Sequence, residues 1–155
     1  MNISDVGDLI PILQVAIGPV ILISGVGLII LSMTNRLGRA IDRTRALAVL
    51  YTEAGEVQRP RLQEQLSVLW GRAKNLRLAI AFAAASALSS ALLVIFIFMA
   101  ALWGYGSGWF IVVLFTLSLM SLILALILFI HDINKSLAAL RVELDYSQHI
   151  SDRND

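Results

Sequence analysis

The chain has 155 residues, contains no cysteine and has few charged side chains. The absence of cysteine excludes disulfide bonds, thiolate metal ligands and a cysteine nucleophile. Charged residues make up 15% of the chain, hydrophobic residues make up 58%, and the mean hydropathy is +0.81. Since a soluble domain of this size needs far more polar surface, the composition predicts an integral membrane protein.

Positive charge is missing from large parts of the chain. All 12 Lys and Arg residues lie either between Arg36 and Arg77 or after Ile130. Positive residues concentrate on the cytoplasmic side of membrane proteins. We therefore expect the N-terminus and the turn at Trp103–Trp109 to lie outside, and the C-terminus to lie inside.

Three long apolar segments interrupt the charged regions, at residues 10–33, 78–102 and 110–130. The first has 24 residues without a charge, which corresponds to a helix about 36 Å long, enough to cross a bilayer. The second carries small residues four apart, an arrangement that favours close helix packing. These residues are Ala79, Ala83 and Ala87, with Ser86 and Ser90. We expect three transmembrane helices.

Two further segments have apolar residues at helical spacing but also carry charges. Residues 36–77 predict a cytoplasmic helical hairpin that extends the first two spans, with a break near Glu53–Glu56 and a helix start near Pro60. Residues 132–148 predict a C-terminal amphipathic helix on the same side. The expected fold is a single all-α membrane domain.

A seven-residue pattern runs along the first span, and our hypotheses of function rest on it. It combines small, polar and a few bulky apolar residues on one helical face, which we call the seam. The seam consists of Gln14, Gly18, Ile21, Gly25, Leu28, Ser32, Asn35 and Arg39. Small residues on such a face let helix backbones approach closely, and polar ones face protein or water.

The seam has two interpretations. As a packing surface, Gly18 and Gly25 would contact another helix while Gln14 hydrogen-bonds across the interface. As a pore lining, Gln14 and Ser32 would form polar rings, and Ile21 and Leu28 would form apolar constrictions that gate by dewetting. One three-span subunit cannot enclose an aqueous path, so a pore requires a cyclic homo-oligomer.

Four charged residues at and just beyond the inner end of the seam form what we call the inner-mouth group. They are Arg36, Arg39, Asp42 and Arg43. One interpretation is an anchor whose guanidinium groups meet lipid phosphates. The other places Arg39 and Asp42 in a ring at the inner mouth of the pore, where they pair between subunits.

No group of residues in the sequence predicts an enzyme, a metal site or a cofactor. His131-Asp132 resembles half of an acid–base or metal site, but an isolated pair at the end of a span is more typical of an interfacial helix end. The glycines between Trp103 and Trp109 lack the Lys-Ser/Thr that a phosphate loop requires. Nothing indicates nucleic acid as a partner.

One stretch resembles a known family. The residues Ile17-Gly-Pro-Val and Ser24-Gly, followed by Thr34-Asn-Arg-Leu-Gly-Arg-Ala-Ile-Asp-Arg-Thr-Arg45, look like the signature of the DUF2721 family of small bacterial membrane proteins. Gly18 stands before Pro19 where the family pattern leads us to expect serine. The resemblance implies a three-span protein of a bacterial inner membrane, and it implies no activity.

Two hypotheses of function follow. The first is a homo-oligomeric channel that passes ions, lined by the first transmembrane helix and gated through the cytoplasmic helices. The second is a non-conducting scaffold or accessory subunit whose cytoplasmic hairpin recruits a partner. In either case the expected partners are the lipid bilayer and other copies of the chain, and the channel hypothesis adds inorganic ions.

Overall fold

The computed structural model describes the backbone of residues 6–103 and 108–151, and the side chains of residues 10–102 and 108–135. Parts of two predictions lie outside these ranges. They are the central residues of the turn at Trp103–Trp109 and the amphipathic character of residues 132–148.

The described chain forms three long α-helices and no strand. Helix α1 is Val6–Glu53, α2 is Arg59–Trp103 and α3 is Gly108–Ser151. Each is long and apolar enough to cross a membrane, and their most apolar stretches have mean hydropathies of 2.4, 2.4 and 2.9. The prediction of an all-α chain with three such helices is therefore confirmed.

The short connection between α1 and α2 falls close to the predicted break. The carbonyl oxygen of Gly55 accepts hydrogen bonds from the backbone N–H groups of Gln58, at 3.0 Å, and Arg59, at 3.3 Å. The Nε–H of Arg59 donates to the carbonyl oxygen of Ala54 at 3.2 Å. Pro60 occupies the first turn of α2, where its missing N–H leaves no helical bond unmade.

Helix α3 differs from the prediction because it runs through His131-Asp132 without a break. We expected the third span to end there and a separate helix to follow. The two segments are instead one helix of 44 residues. Neither His131 nor Asp132 breaks a helix strongly, and tertiary contacts of Asp132, described below, hold this part of α3 against its neighbours.

Helix α2 lies between the other two, and packs against both α1 and α3, while α1 and α3 make few contacts with each other. Small residues in the middle of α2 are among those that it buries, and Ala87 is half-buried beside them. Ala79, Ala83, Ser86 and Ser90 are at most 1% exposed. The prediction that they allow close helix packing is confirmed.

The face of α1 that packs against the other helices also repeats every seven residues. Pro19, Val26, Met33 and Ala40 are all buried. Val26 forms one buried cluster with Ala83 of α2 and Ala125 of α3 in the centre of the three-helix unit. This face lies about 100° to 200° around the helix from the seam, because successive residues turn by about 100°.

Buried residues of α3 follow the same spacing and divide the unit into three layers. Ser118, Ala125 and Asp132 are each at most 1% exposed. Seven residues correspond to about 10 Å along a helix. The serine layer contains Ser118, the apolar layer contains Ala125, and the charged layer contains Asp132.

The serine layer joins α2 to α3 by hydrogen bonds. The Oγ of Ser118 lies 2.7 Å from that of Ser90 and 3.2 Å from that of Ser86. It also donates to the carbonyl oxygen of Ser86 at 3.0 Å, and Ser121 donates to the carbonyl oxygen of Phe82 at 2.8 Å. Such bonds hold helices together where apolar burial gives little driving force.

Candidate functional site

The charged layer brings one residue from each helix together. Oδ2 of Asp132 lies 3.7 Å from Nη1 of Arg36 in α1, and its Oδ1 lies 3.5 Å from Nε of Arg72 in α2. The carboxylate is 2% exposed, whereas the two arginine side chains are 31% and 26% exposed. Asp132 therefore lies in the interior of the three-helix unit, and the two arginine side chains extend from it toward the protein surface.

Helix geometry explains why these three residues meet. Asp132 continues the buried series of Ser118 and Ala125 on α3, and Arg72 stands seven residues before the buried Ala79 on α2. The guanidinium carbon of Arg36 also lies 5.5 Å from the centre of the Phe129 ring. That distance allows a cation–π contact, which keeps Arg36 next to α3.

The carboxylate is held by charge and not by hydrogen bonds. Both oxygens of Asp132, Nη1 of Arg36 and Nε of Arg72 are buried, and none has a hydrogen-bond partner within the protein. Buried polar atoms are normally hydrogen-bonded, and leaving one unpaired costs about 1–3 kcal/mol. This cost marks the charged layer as a candidate for a role beyond stability.

A pocket of about 200 Å³ opens beside the charged layer. Its wall contains four arginines, one carboxylate and three apolar residues. The arginines are Arg36, Arg39, Arg43 and Arg72, the carboxylate is Asp132, and the apolar residues are Ala40, Leu69 and Leu76. The wall thus carries four positive charges and one negative charge, so its formal balance strongly favours an anion.

Apart from Arg39, the residues of the seam lie away from the pocket, on the open side of α1. All eight of its residues, from Gln14 to Arg39, are exposed in the chain. Leu28 is 71% exposed, and no atom lies within 4 Å of the place where a Cβ of Gly18 or Gly25 would stand. Neither α2 nor α3 covers the seam.

The structure divides the inner-mouth group between two surroundings. Arg36 belongs to the charged layer, and Arg39 and Arg43 line the pocket. Asp42 is exposed and is not part of the pocket wall. Three of its four members therefore stand at one site, and Arg39 belongs to both the pocket and the seam.

Sequence reasoning missed Asp132 and Arg72. The interpretation of His131-Asp132 as an interfacial helix end is wrong for Asp132, which is 1% exposed and lies between two arginines. The signal that could have found it is the spacing of Ser118, Ala125 and Asp132, which places the aspartate on the buried face of α3. His131 itself is exposed.

Comparisons with known proteins agree with the motif in and after the first span. A family model described as a protein of unknown function (DUF2721) matches residues 16–142. No curated protein and no solved structure matches the chain. The match includes the whole charged layer and most of the seam.

Proposed function

The chain belongs to the DUF2721 family, and we propose that it is a homo-oligomeric membrane protein that conducts ions along a path lined by the seam of α1. The proposal rests on one observation above all. The eight residues of the seam are all exposed, while the face that buries Val26 and Met33 packs against the rest of the chain.

Exposure of the seam matters because of where α1 would lie. In this proposal residues 10–33 cross a bacterial inner membrane with the N-terminus outside, in agreement with the distribution of Lys and Arg. Gln14 and Ser32 would then face either lipid or another copy of the chain. Polar side chains in membranes face protein or water in preference to lipid, which favours contact between copies.

A path for ions would lie between the copies and not within one of them. The shared axis of the three helices is filled by the small residues Val26, Ala83 and Ala125, which pack together. A closed ring of subunits brings identical seams to face one axis. Ile21 and Leu28, which are 65% and 71% exposed, would narrow the path, and Arg39 would stand at its inner end.

Outside the membrane, the extended parts of α1 and α2 would form the cytoplasmic hairpin that regulates the path. Leu69 and Leu76 of α2 are buried there, as is Ala40 of α1. The charged layer joins this hairpin to α3 at the inner boundary. A movement of the hairpin would therefore reach the inner end of the seam through Arg36.

Ion flux into liposomes that contain the purified, assembled protein tests conduction. If Leu28 forms an apolar constriction, Leu28→Ser should wet it and raise the flux. The control is Val20→Ser, which also places serine at an exposed apolar position, 50% exposed, but about 80° to 100° around the helix from Leu28 and Ile21. Arg39→Glu should move the reversal potential in a salt gradient toward cation preference.

The second candidate function is a scaffold without a conducting path. Large apolar residues on the hairpin support it, since Val57 is 93% exposed, Trp70 is 70% exposed and Val68 is 57% exposed. Apolar residues exposed outside a membrane often mark a protein contact. Liposomes that show no flux above empty ones for the wild type and the three variants, in an assembled preparation, would reject conduction in favour of the scaffold.

A further inference from the structure

We propose that the pocket beside the charged layer binds a phosphate group, carried either by inorganic phosphate or by the headgroup of an anionic lipid. This inference goes beyond ion conduction and does not depend on it. It stands on the pocket's charge, on its hydrogen-bond donors and on the buried carboxylate of Asp132.

The charge of the pocket comes first. Arg36, Arg39, Arg43 and Arg72 all line it, against the single carboxylate of Asp132. Four guanidinium groups around one small space repel each other unless an anion lies among them. Because Asp132 balances one of the four charges, a phosphate with one or two negative charges would lower the formal charge of the site from +3 to about +2 or +1.

The donors have the right chemistry. A guanidinium group has five N–H donors in a planar fork that matches phosphate oxygens. Asp132 approaches Arg36 at Nη1 and Arg72 at Nε, so the remaining donors of both arginines stay available. Arg39 and Arg43 add further donors from the exposed side of the pocket.

Asp132 gives the independent observation that these arginines form a built site. Its carboxylate is 98% buried, lines the pocket and has no hydrogen-bond partner within the protein. Asp132 is therefore a positioning residue, which holds Arg36 and Arg72 in place from the buried end of the pocket.

The pocket also has a suitable size and place. A water molecule takes up about 30 Å³ in the liquid, so a pocket of about 200 Å³ has room for a phosphate group and a few waters. Arg36 follows the first apolar segment by three residues, which puts the pocket at headgroup level in the proposed topology. Basic pockets between helices on the cytoplasmic side are known places for anionic headgroups.

The choice of variants follows from the burial of each arginine. Replacing Arg36 or Arg72 would leave the buried carboxylate of Asp132 with only one of its two charged partners, and this would destabilise the fold. Arg43 is exposed, lines the pocket and makes no ion pair with Asp132. The matched control is Arg45, an exposed arginine on the same helix that does not line the pocket.

The first arm of the experiment uses inorganic phosphate. Thermal unfolding of the full chain in detergent is followed as phosphate replaces chloride at constant ionic strength. We expect phosphate to stabilise the wild type, and Arg43→Gln to weaken the apparent affinity about tenfold because a charge-assisted contact is lost. Arg45→Gln should bind phosphate as the wild type does.

The second arm uses lipids and distinguishes the two sources of phosphate. Native mass spectrometry compares retention of phosphatidylglycerol with that of phosphatidylcholine in the same three proteins. Retention of phosphatidylglycerol that depends on Arg43, without stabilisation by inorganic phosphate, assigns the site to a lipid headgroup. If neither probe binds, or if Arg43→Gln and Arg45→Gln reduce binding equally, the proposal is wrong.

Discussion

Both sides of α1 repeat every seven residues, but the rest of the chain covers only one of them. The inner side, with Val26 and Met33, is buried against α2 and α3. The outer side, the seam, is exposed along its whole length although it carries small and polar residues. The inner face is covered by the chain itself, whereas the seam is left open, and in our proposal another copy of the chain covers it.

Loss of side-chain volume on the inner side should lower the free energy of unfolding. Met33 is fully buried, and Met33→Ala should lower the free energy of unfolding by about 2 kcal/mol or more because a cavity remains. Leu31→Ala removes a side chain that is 58% exposed and should cost less than about 0.5 kcal/mol. Equal losses in denaturant titrations of the two variants would remove the distinction between the sides.

Added side-chain volume on the outer side should weaken the proposed assembly but leave the fold of the single chain intact. Nothing lies within 4 Å of a Cβ at Gly25, so Gly25→Leu should not disturb the single chain. Between copies it should weaken assembly by about 1–3 kcal/mol through overpacking. Native mass spectrometry should show fewer or smaller oligomers.

Gly27 provides the control for that experiment. It has equal free space in the chain, but it lies about 200° around the helix from Gly25. Gly27→Leu should leave assembly unchanged. An oligomer that persists with leucine at position 25 would remove the seam from the interface.

The serine layer sharpens the comparison, because its polar groups find partners inside the chain. Ser118→Ala removes contacts to Ser86 and Ser90 and should cost about 1 kcal/mol of unfolding free energy, within the range for such bonds in membranes. Thr116→Ala, at an exposed position on the same helix, should cost less. Assembly should not change in either variant, and a loss of oligomers in Ser118→Ala would contradict this division.

Much of the fold could be predicted because hydrophobicity and small-residue spacing are local signals. The three apolar segments correspond to three long helices, and Ala79 and Ala83 are buried as their spacing indicated. The direction in which a face points is not local. Both faces of α1 repeat every seven residues, and only packing against α2 decides which one is buried.

The charged layer could not be predicted from neighbouring residues. Arg36, Arg72 and Asp132 are far apart in the sequence. They meet because the packing of the three helices places them at the same level along the bundle. The neighbouring His131 does not indicate that Asp132 is buried, whereas Ala125 and Ser118, seven and fourteen positions earlier, place it on the buried face of α3. The inner-mouth group was recognised, but Arg72 and the buried carboxylate that organise it were not.

Crosslinking of single cysteines tests the outward seam most directly, and the natural absence of cysteine makes each product unambiguous. Ser32→Cys lies on the seam, and Gly27→Cys is at an exposed position off it. With a short bifunctional thiol reagent, in membranes, we predict a ladder of covalent oligomers for Ser32→Cys and monomer for Gly27→Cys. Monomer at position 32 together with oligomers at position 27 would contradict the account.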